Sequence, residues 1–101
     1  MSIIEQRRYN KPSTTIFESL LSIISKSGFK INKVEKEIKR IDVSTGASLF
    51  SFGEKLEIIV STEGSQSLVY VKSEAVVPWN ISADAKGKLK YIFDELDKVV
   101  K

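Results

Sequence analysis

Side chains that commonly carry catalysis are scarce in this sequence. Its 101 residues include no histidine and no cysteine. Their absence removes the commonest general base, the commonest metal ligand and the thiolate nucleophile. It also makes the chain independent of disulfides and of any redox compartment. These absences argue against most hydrolase and metalloenzyme classes, so we expect no metal, no cofactor and no enzymatic activity.

Two weaker patterns in the sequence could also carry chemistry. Six residues separate Gly46 from Gly53, and Glu54 stands before Lys55. A phosphate-binding loop needs four residues between its glycines and a lysine directly after the second one, so this segment does not match. A serine nucleophile with a lysine base is possible without histidine, but no spacing in the chain singles out such a pair. A lysine-assisted enzyme therefore stays an open alternative.

The densest basic stretch could contact phosphates. Its candidate residues are Lys30, Lys33, Lys39 and Arg40, which could share the solvent face of a strand pair. The net charge is +3, which permits nucleic-acid binding without requiring it. The alternative is a solvated strand face kept soluble by its lysines.

Three aromatic residues are not explained by the periodicity of any predicted element. Phe50 and Phe52 would lie on one face of an extended segment, and Trp79 follows Pro78 in a connection. Such residues often seal the end of a core, because aromatic side chains bury a large area. Alternatively they form an exposed apolar patch that contacts a protein partner or a small apolar ligand.

The elements that position these residues are organised around one hairpin. Apolar residues alternate with others from Leu56 to Ser61, and the alternation resumes before Val71 after the turn Glu63-Gly64-Ser65. Two such runs around a glycine-containing turn predict an antiparallel strand pair. A third run, from Ile3 to Tyr9, has charged residues on both faces and is typical of an edge strand.

Two amphipathic helices can cover this sheet. The first is predicted from about Ser13 to Ser27, with Ser13 as a candidate cap, a capping box at Thr15-Ile16-Phe17-Glu18 and Gly28 as the left-handed C-cap. The second carries apolar residues at helical spacing from Leu89 to Val100, with Ser82 or Asp84 as its cap. In it, Lys86 and Lys90 are expected to share a face while Lys88 points away.

The predicted fold is a single α+β domain, residues 1–101, with two layers. Phe29, Ile31 and Val34 indicate one further strand, and Ile38, Ile41 and Val43 another, with a turn at Glu35-Lys36-Glu37. The order is β-α-β-β-β-β-α, an antiparallel sheet of about five strands with both helices on one face.

In this order and spacing the chain resembles two known groups. One is the helix-grip arrangement, in which a curved antiparallel sheet wraps a C-terminal helix, as in the repeated domains of the BamC lipoprotein. The other is a class of short bacterial α+β domains without an assigned activity. The motifs shared with this second group are Gly28-Phe29-Lys30-Ile31, Gly53-Glu54 and Asp84-Ala85-Lys86-Gly87-Lys88, whereas the likeness to BamC is one of architecture. The resemblance implies the fold and no activity.

The functional expectation follows from these exclusions. The chain has no signal-peptide pattern and no apolar run long enough for a membrane span, so we expect a cytoplasmic protein. The leading hypothesis is a non-enzymatic binding module for a protein partner or small apolar ligand, contacted by Phe50, Phe52 and Trp79. The second is weak nucleic-acid binding through Lys30, Lys33, Lys39 and Arg40. Self-association through an open edge strand is also expected to be possible.

Overall fold

The computed structural model of the chain describes residues 2–45, 53–75 and 85–100. Their elements are, in order, β1 (Ser2–Tyr9), α1 (Ser13–Ser27), β2 (Lys30–Glu35), β3 (Arg40–Ser44), β4 (Glu54–Glu63), β5 (Gln66–Ala75) and α2 (Ala85–Val100). The five strands form one antiparallel sheet in the spatial order β1-β5-β4-β3-β2. The predicted fold class, element order and edge position of β1 are confirmed.

The central hairpin forms as predicted, with its turn at Gly64-Ser65. Glu63 pairs with Gln66 across the turn Gly64-Ser65, and Ile58 pairs with Val71 on the inner face. Gly64 has a φ of 63°, the left-handed region that a tight turn of this kind requires and that glycine adopts without steric cost. Alternate residues of both strands are buried, so one face of the sheet lies toward the helices and the other toward solvent.

Both helices pack on this inner face. α1 contributes Ile16, Leu20 and Ile24, which are fully buried, and α2 contributes Ile92, Phe93 and Leu96. Together with the inner residues of β3, β4 and β5 they make one continuous core. Burying a side chain of this size contributes roughly 1.5–3 kcal/mol, so the two apolar stripes account for most of the force that holds the layers together.

Local signals were right at the end of α1 and wrong at its start. Gly28 is the predicted left-handed C-cap, with a φ of 88°. The N-cap is Pro12, without a side-chain cap hydrogen bond, so the predicted capping box does not form. Ser13 lies inside the helix, and its hydroxyl is hydrogen-bonded to the Thr62 hydroxyl at 2.7 Å. The Ser13 hydroxyl therefore bonds to a residue of β4 instead of capping its own helix.

The β2–β3 turn also differs from expectation. The sequence pattern predicts Ile38 in a strand, but it lies in the turn at residues 36–39 and is 54% exposed. Lys39 closes this turn with a φ of 53°. β3 begins only at Arg40. None of the described helices is long and apolar enough to cross a membrane.

Candidate functional site

A buried ion pair joins the sheet to α2. Glu54, the first residue of β4, is 1% exposed, although an unpaired carboxylate at such a position is strongly disfavoured. The Lys88 ammonium donates to both of its carboxylate oxygens, at 2.9 Å each. The Lys88 side chain is 17% exposed, so the pair lies at the boundary of the core.

Thr45 completes this polar cluster. Its hydroxyl accepts from the Glu54 backbone N–H at 2.9 Å and from the Lys88 ammonium at 3.3 Å. The same hydroxyl lies 3.2 Å from a Glu54 carboxylate oxygen, to which it can donate. The Thr45 backbone N–H donates to the Glu54 carbonyl at 2.9 Å. The three residues therefore satisfy one another's polar atoms in a space that excludes most water.

The cluster of Thr45, Glu54 and Lys88 marks one end of the sheet. Thr45 directly follows β3, Glu54 begins β4, and Lys88 lies in the first turn of α2. Residues 46–52 and 76–84 are the connections that leave from and return to this end. Because the amine is paired with a carboxylate and has no free lone pair in that form, Lys88 is suited to anchor α2 and to offer positive charge, not to act as a nucleophile.

A groove opens beside Lys88. Its volume is about 390 Å³, and its lining consists of Ser27, Phe29, Gly87, Lys88 and Tyr91. The Phe29 and Tyr91 rings meet edge to face, with centroids 6.2 Å apart and an interplanar angle of 74°. Gly87 has no side chain to fill the space. The groove therefore combines two aromatic walls with one charged residue, a composition typical of small-molecule sites.

A second polar cluster fixes α2 against β1 at some distance from the groove along α2. Asp97 accepts from the Arg7 guanidinium and from the Tyr9 hydroxyl, each at 2.7 Å. The guanidinium also lies 4.7 Å from the centroid of the Phe93 ring, in cation–π geometry. Burial of the phenol, together with its hydrogen bond to Asp97, raises the pKa of Tyr9 well above its ordinary value of 10.0. These contacts stabilise the packing and line none of the groove.

The predicted phosphate-contacting residues are partly neutralised. Lys33 pairs with Glu35 at 2.7 Å. Arg40 pairs with Asp42 at 3.0 Å and with Glu57 at 3.2 Å. Lys30 is exposed and Lys39 half-exposed. Lys30 and Lys33 lie on β2 and Arg40 begins β3, whereas Lys39, predicted on a strand, lies in the turn between them. The acidic partners of Lys33 and Arg40 give this part of the sheet both signs of charge. Phosphate contact by these residues stays a prediction.

The predicted partner-contacting aromatics lie outside the described residues. Phe50 and Phe52 fall in the connection between Thr45 and Gly53, and Trp79 falls in the connection between β5 and α2. Both connections join elements at the sheet end that carries the ion pair. Contact of these three residues with a ligand stays a prediction.

Sequence reasoning missed the ion pair, although the signal for it was present. Glu54 has the same parity as the inner residues Leu56 and Ile58 of β4, so strand alternation alone places its side chain inward. Lys88 lies four residues before Ile92 and therefore on the apolar stripe of α2. Lys88 points away from the exposed Lys90, as expected, but it points toward Glu54 and not toward solvent.

The described elements form the helix-grip fold. Three solved structures share this fold. CalU16 from Micromonospora echinospora is 17% identical, with a TM-score of 0.72 over 99% of this chain and 74% of the other. Ara h 8.0201 is 9% identical, with a TM-score of 0.70 over 99% and 97%. A START superfamily protein from Mycobacterium smegmatis is 12% identical, with a TM-score of 0.64 over 98% and 96%.

These likenesses establish the fold alone, since the identities are low. No family model matches the sequence, and no curated protein matches it.

Proposed function

We propose that this protein is a non-enzymatic binding module for a small apolar ligand, held in the groove between Phe29, Lys88 and Tyr91. The observation that carries the proposal is the groove itself, in which an aromatic pair adjoins the partly exposed end of a buried ion pair. Proteins of this fold type typically bind small hydrophobic ligands, which supports the same class of ligand here.

The packing limits where a ligand can lie. The inner face of the described sheet is covered by tightly buried side chains, among them Phe93, Leu96 and Ile58 at 0% exposure. A molecule cannot enter between sheet and helices there without displacing them, and each displaced side chain costs about as much as its burial contributes. The groove of about 390 Å³ lies at the small end of the range for ligand sites. It suits a molecule with a short aliphatic or aromatic body.

Lys88 determines which polar group a ligand in the groove should carry. Its ammonium is held by Glu54, and its side chain also lines the groove. All three N–H donors of the ammonium are used by Glu54 and Thr45, so a ligand oxygen must take over the longest of these bonds, the one to Thr45 at 3.3 Å. The exchange is favourable for an anionic oxygen, since charge-assisted hydrogen bonds are stronger than neutral ones. We therefore expect an apolar molecule that ends in a carboxylate or carbonyl to bind more tightly than its hydrocarbon analogue. Contact of the ligand with Phe50, Phe52 and Trp79 stays a prediction in this proposal.

Backbone amide NMR with decanoate as the probe tests the proposal. We expect saturable shifts at Phe29, Gly87 and Tyr91, and smaller shifts with decanol. Tyr91→Ala should weaken decanoate binding, whereas Val99→Ala, on the same helix and also exposed, should leave it unchanged. Shifts that spread over the outer sheet face, or equal effects of both substitutions, would contradict the assignment of the groove.

A further inference from the structure

The two edge strands of the sheet, β1 and β2, differ in how well each could pair with a further strand. β2 is short, and its pairing with β3 is interrupted by an irregularity between Ile31 and Lys33. Bulges and lysines of this kind discourage pairing at an edge. β1 pairs with β5 over all eight of its residues in an unbroken register. Within the described part of the chain, β1 therefore offers the longer and more regular edge.

The hydrogen-bond pattern identifies which residues of β1 face outward along the edge. Thr45 N–H bonds to the Glu54 carbonyl and Val60 N–H to the Lys39 carbonyl, so the even-numbered residues of β4 bond to β3. Because bonding alternates along an antiparallel strand, odd residues of β4 bond to β5, and odd residues of β5 bond to β1. Ser2, Ile4, Gln6 and Arg8 must then direct their backbone groups toward the open edge.

The side chains of β1 are complementary to themselves in one antiparallel register. If Gln6 pairs with Gln6 of a second copy, Glu5 lies opposite Arg7 twice, and Ile3 lies opposite Tyr9 twice. Moving the register by one pair in either direction places Glu5 opposite Glu5, or Arg7 opposite Arg7. Opposite charges across an antiparallel pair are favourable and like charges unfavourable, so of these three registers only the first avoids repulsion. Arg7 keeps its ion pair with Asp97 of the same copy, and Glu5 of the other copy adds a second carboxylate beside it.

The geometry points to self-association of this protein through β1, in which two copies join their sheets antiparallel about a two-fold axis at Gln6. The even residues then supply the backbone hydrogen bonds of the new pair. The ion pairs between Glu5 and Arg7 occupy the closer, non-hydrogen-bonded positions. The exposed side chain of Ile4 lies against the aliphatic part of Arg8 in the other copy. The result is one continuous sheet of twice the width.

Single cysteine variants test the register, because the chain has no cysteine of its own. In the proposed pair the two Gln6 Cα atoms lie about 5.5 Å apart, within the range of a disulfide. The two Ile4 Cα atoms lie about 14 Å apart, at ~3.4 Å per residue along the strand. Mild oxidation should therefore link Gln6→Cys into a covalent dimer and leave Ile4→Cys mostly monomeric. Equal linking of both variants, or of neither, would overturn the register.

Sedimentation of the unmodified chain tests the association itself. We expect a concentration-dependent dimer across the micromolar to millimolar range. Glu5→Arg should weaken dimerisation by about tenfold, because two favourable pairs become two repulsive ones. Glu18→Arg makes the same charge change on the exposed face of α1 and should leave dimerisation unaltered. A chain that stays monomeric throughout, or equal effects of the two substitutions, would rule out the β1 interface.

Discussion

Lys88 and Glu54 form a buried ion pair across 34 residues of sequence, with the ammonium 2.9 Å from each carboxylate oxygen. The pair fixes the start of α2 on the end of the central hairpin. It also gives the groove its charged residue, which connects the stability of the fold with the chemistry of the candidate site.

Lys88→Met should destabilise the protein by about 3–5 kcal/mol, because it leaves the Glu54 carboxylate buried without a counter-charge. Replacing both partners, as in Glu54→Leu with Lys88→Met, should cost less, since no lone charge remains. Urea unfolding followed by circular dichroism measures both effects. Lys90→Met is the matched control, because Lys90 forms an exposed pair with Asp94 in the same helix. A loss no larger than that of Lys90→Met would show that the ion pair contributes little.

Alkaline pH should destabilise the fold through Tyr9. Its pKa is raised in the folded state, by burial and by the hydrogen bond to Asp97, whereas the unfolded chain ionises near the ordinary value of 10.0. Above that value the unfolded state loses the proton while the folded state keeps it, so the free energy of unfolding falls as the pH rises. Tyr9→Phe should remove this component of the pH dependence. Absorbance titration should show a late-ionising phenol that Tyr9→Phe removes; its absence from the unsubstituted protein would contradict the burial of Tyr9.

Gly28→Ala should cost about 1 kcal/mol, the strain of placing a side chain in the left-handed region. A Cβ at this position would meet nothing within 4 Å, so the cost comes from the backbone alone. Gly28→Asn should lose less, because asparagine tolerates this conformation better. Thermal unfolding measures the series, with Ser25→Ala on the exposed face of α1 as the control. Equal losses for alanine and asparagine would argue against backbone strain as the cause.

Trp79 provides an optical test of the aromatic residues in the two connections. It is the single tryptophan of the chain, so its emission reports one position. If it contacts the ligand, emission should shift with decanoate along the same saturation curve as the amide signals of the groove. Unchanged emission at saturation would remove Trp79 from the site while leaving the groove intact.

Helices and strands were predicted correctly from the sequence where the pattern within one element is sufficient. Alternation in β4 and β5 and the apolar stripe of α1 placed the hairpin and the first helix, and Gly28 marked its end. The prediction errors arose where a residue distant in sequence determines the local conformation. Ser13 follows its contact with Thr62 instead of capping the helix. Ile38 lies in the turn that the Lys39 N–H closes onto the Lys36 carbonyl, and residue pairing with β2 and β4 begins at Arg40.

The candidate site was predictable only in part. Parity along β4 and spacing along α2 show that Glu54 and Lys88 face inward, but neither pattern shows that they face each other. That requires the angle at which α2 crosses the sheet, which depends on packing among Phe93, Leu96 and the residues beneath them. The groove could not be predicted for the same reason, because Phe29 and Tyr91 belong to parts of the chain that are far apart in sequence.

The filled interior has a consequence for how ligand and fold are thermodynamically coupled. The described core is complete without a guest molecule, so the empty protein should be as well ordered there as the occupied one. None of the ligand's binding energy is then consumed in assembling the domain, and a bound molecule raises the melting temperature only by mass action on a preformed native state. Saturating ligand should accordingly shift the midpoint of unfolding without changing its cooperativity.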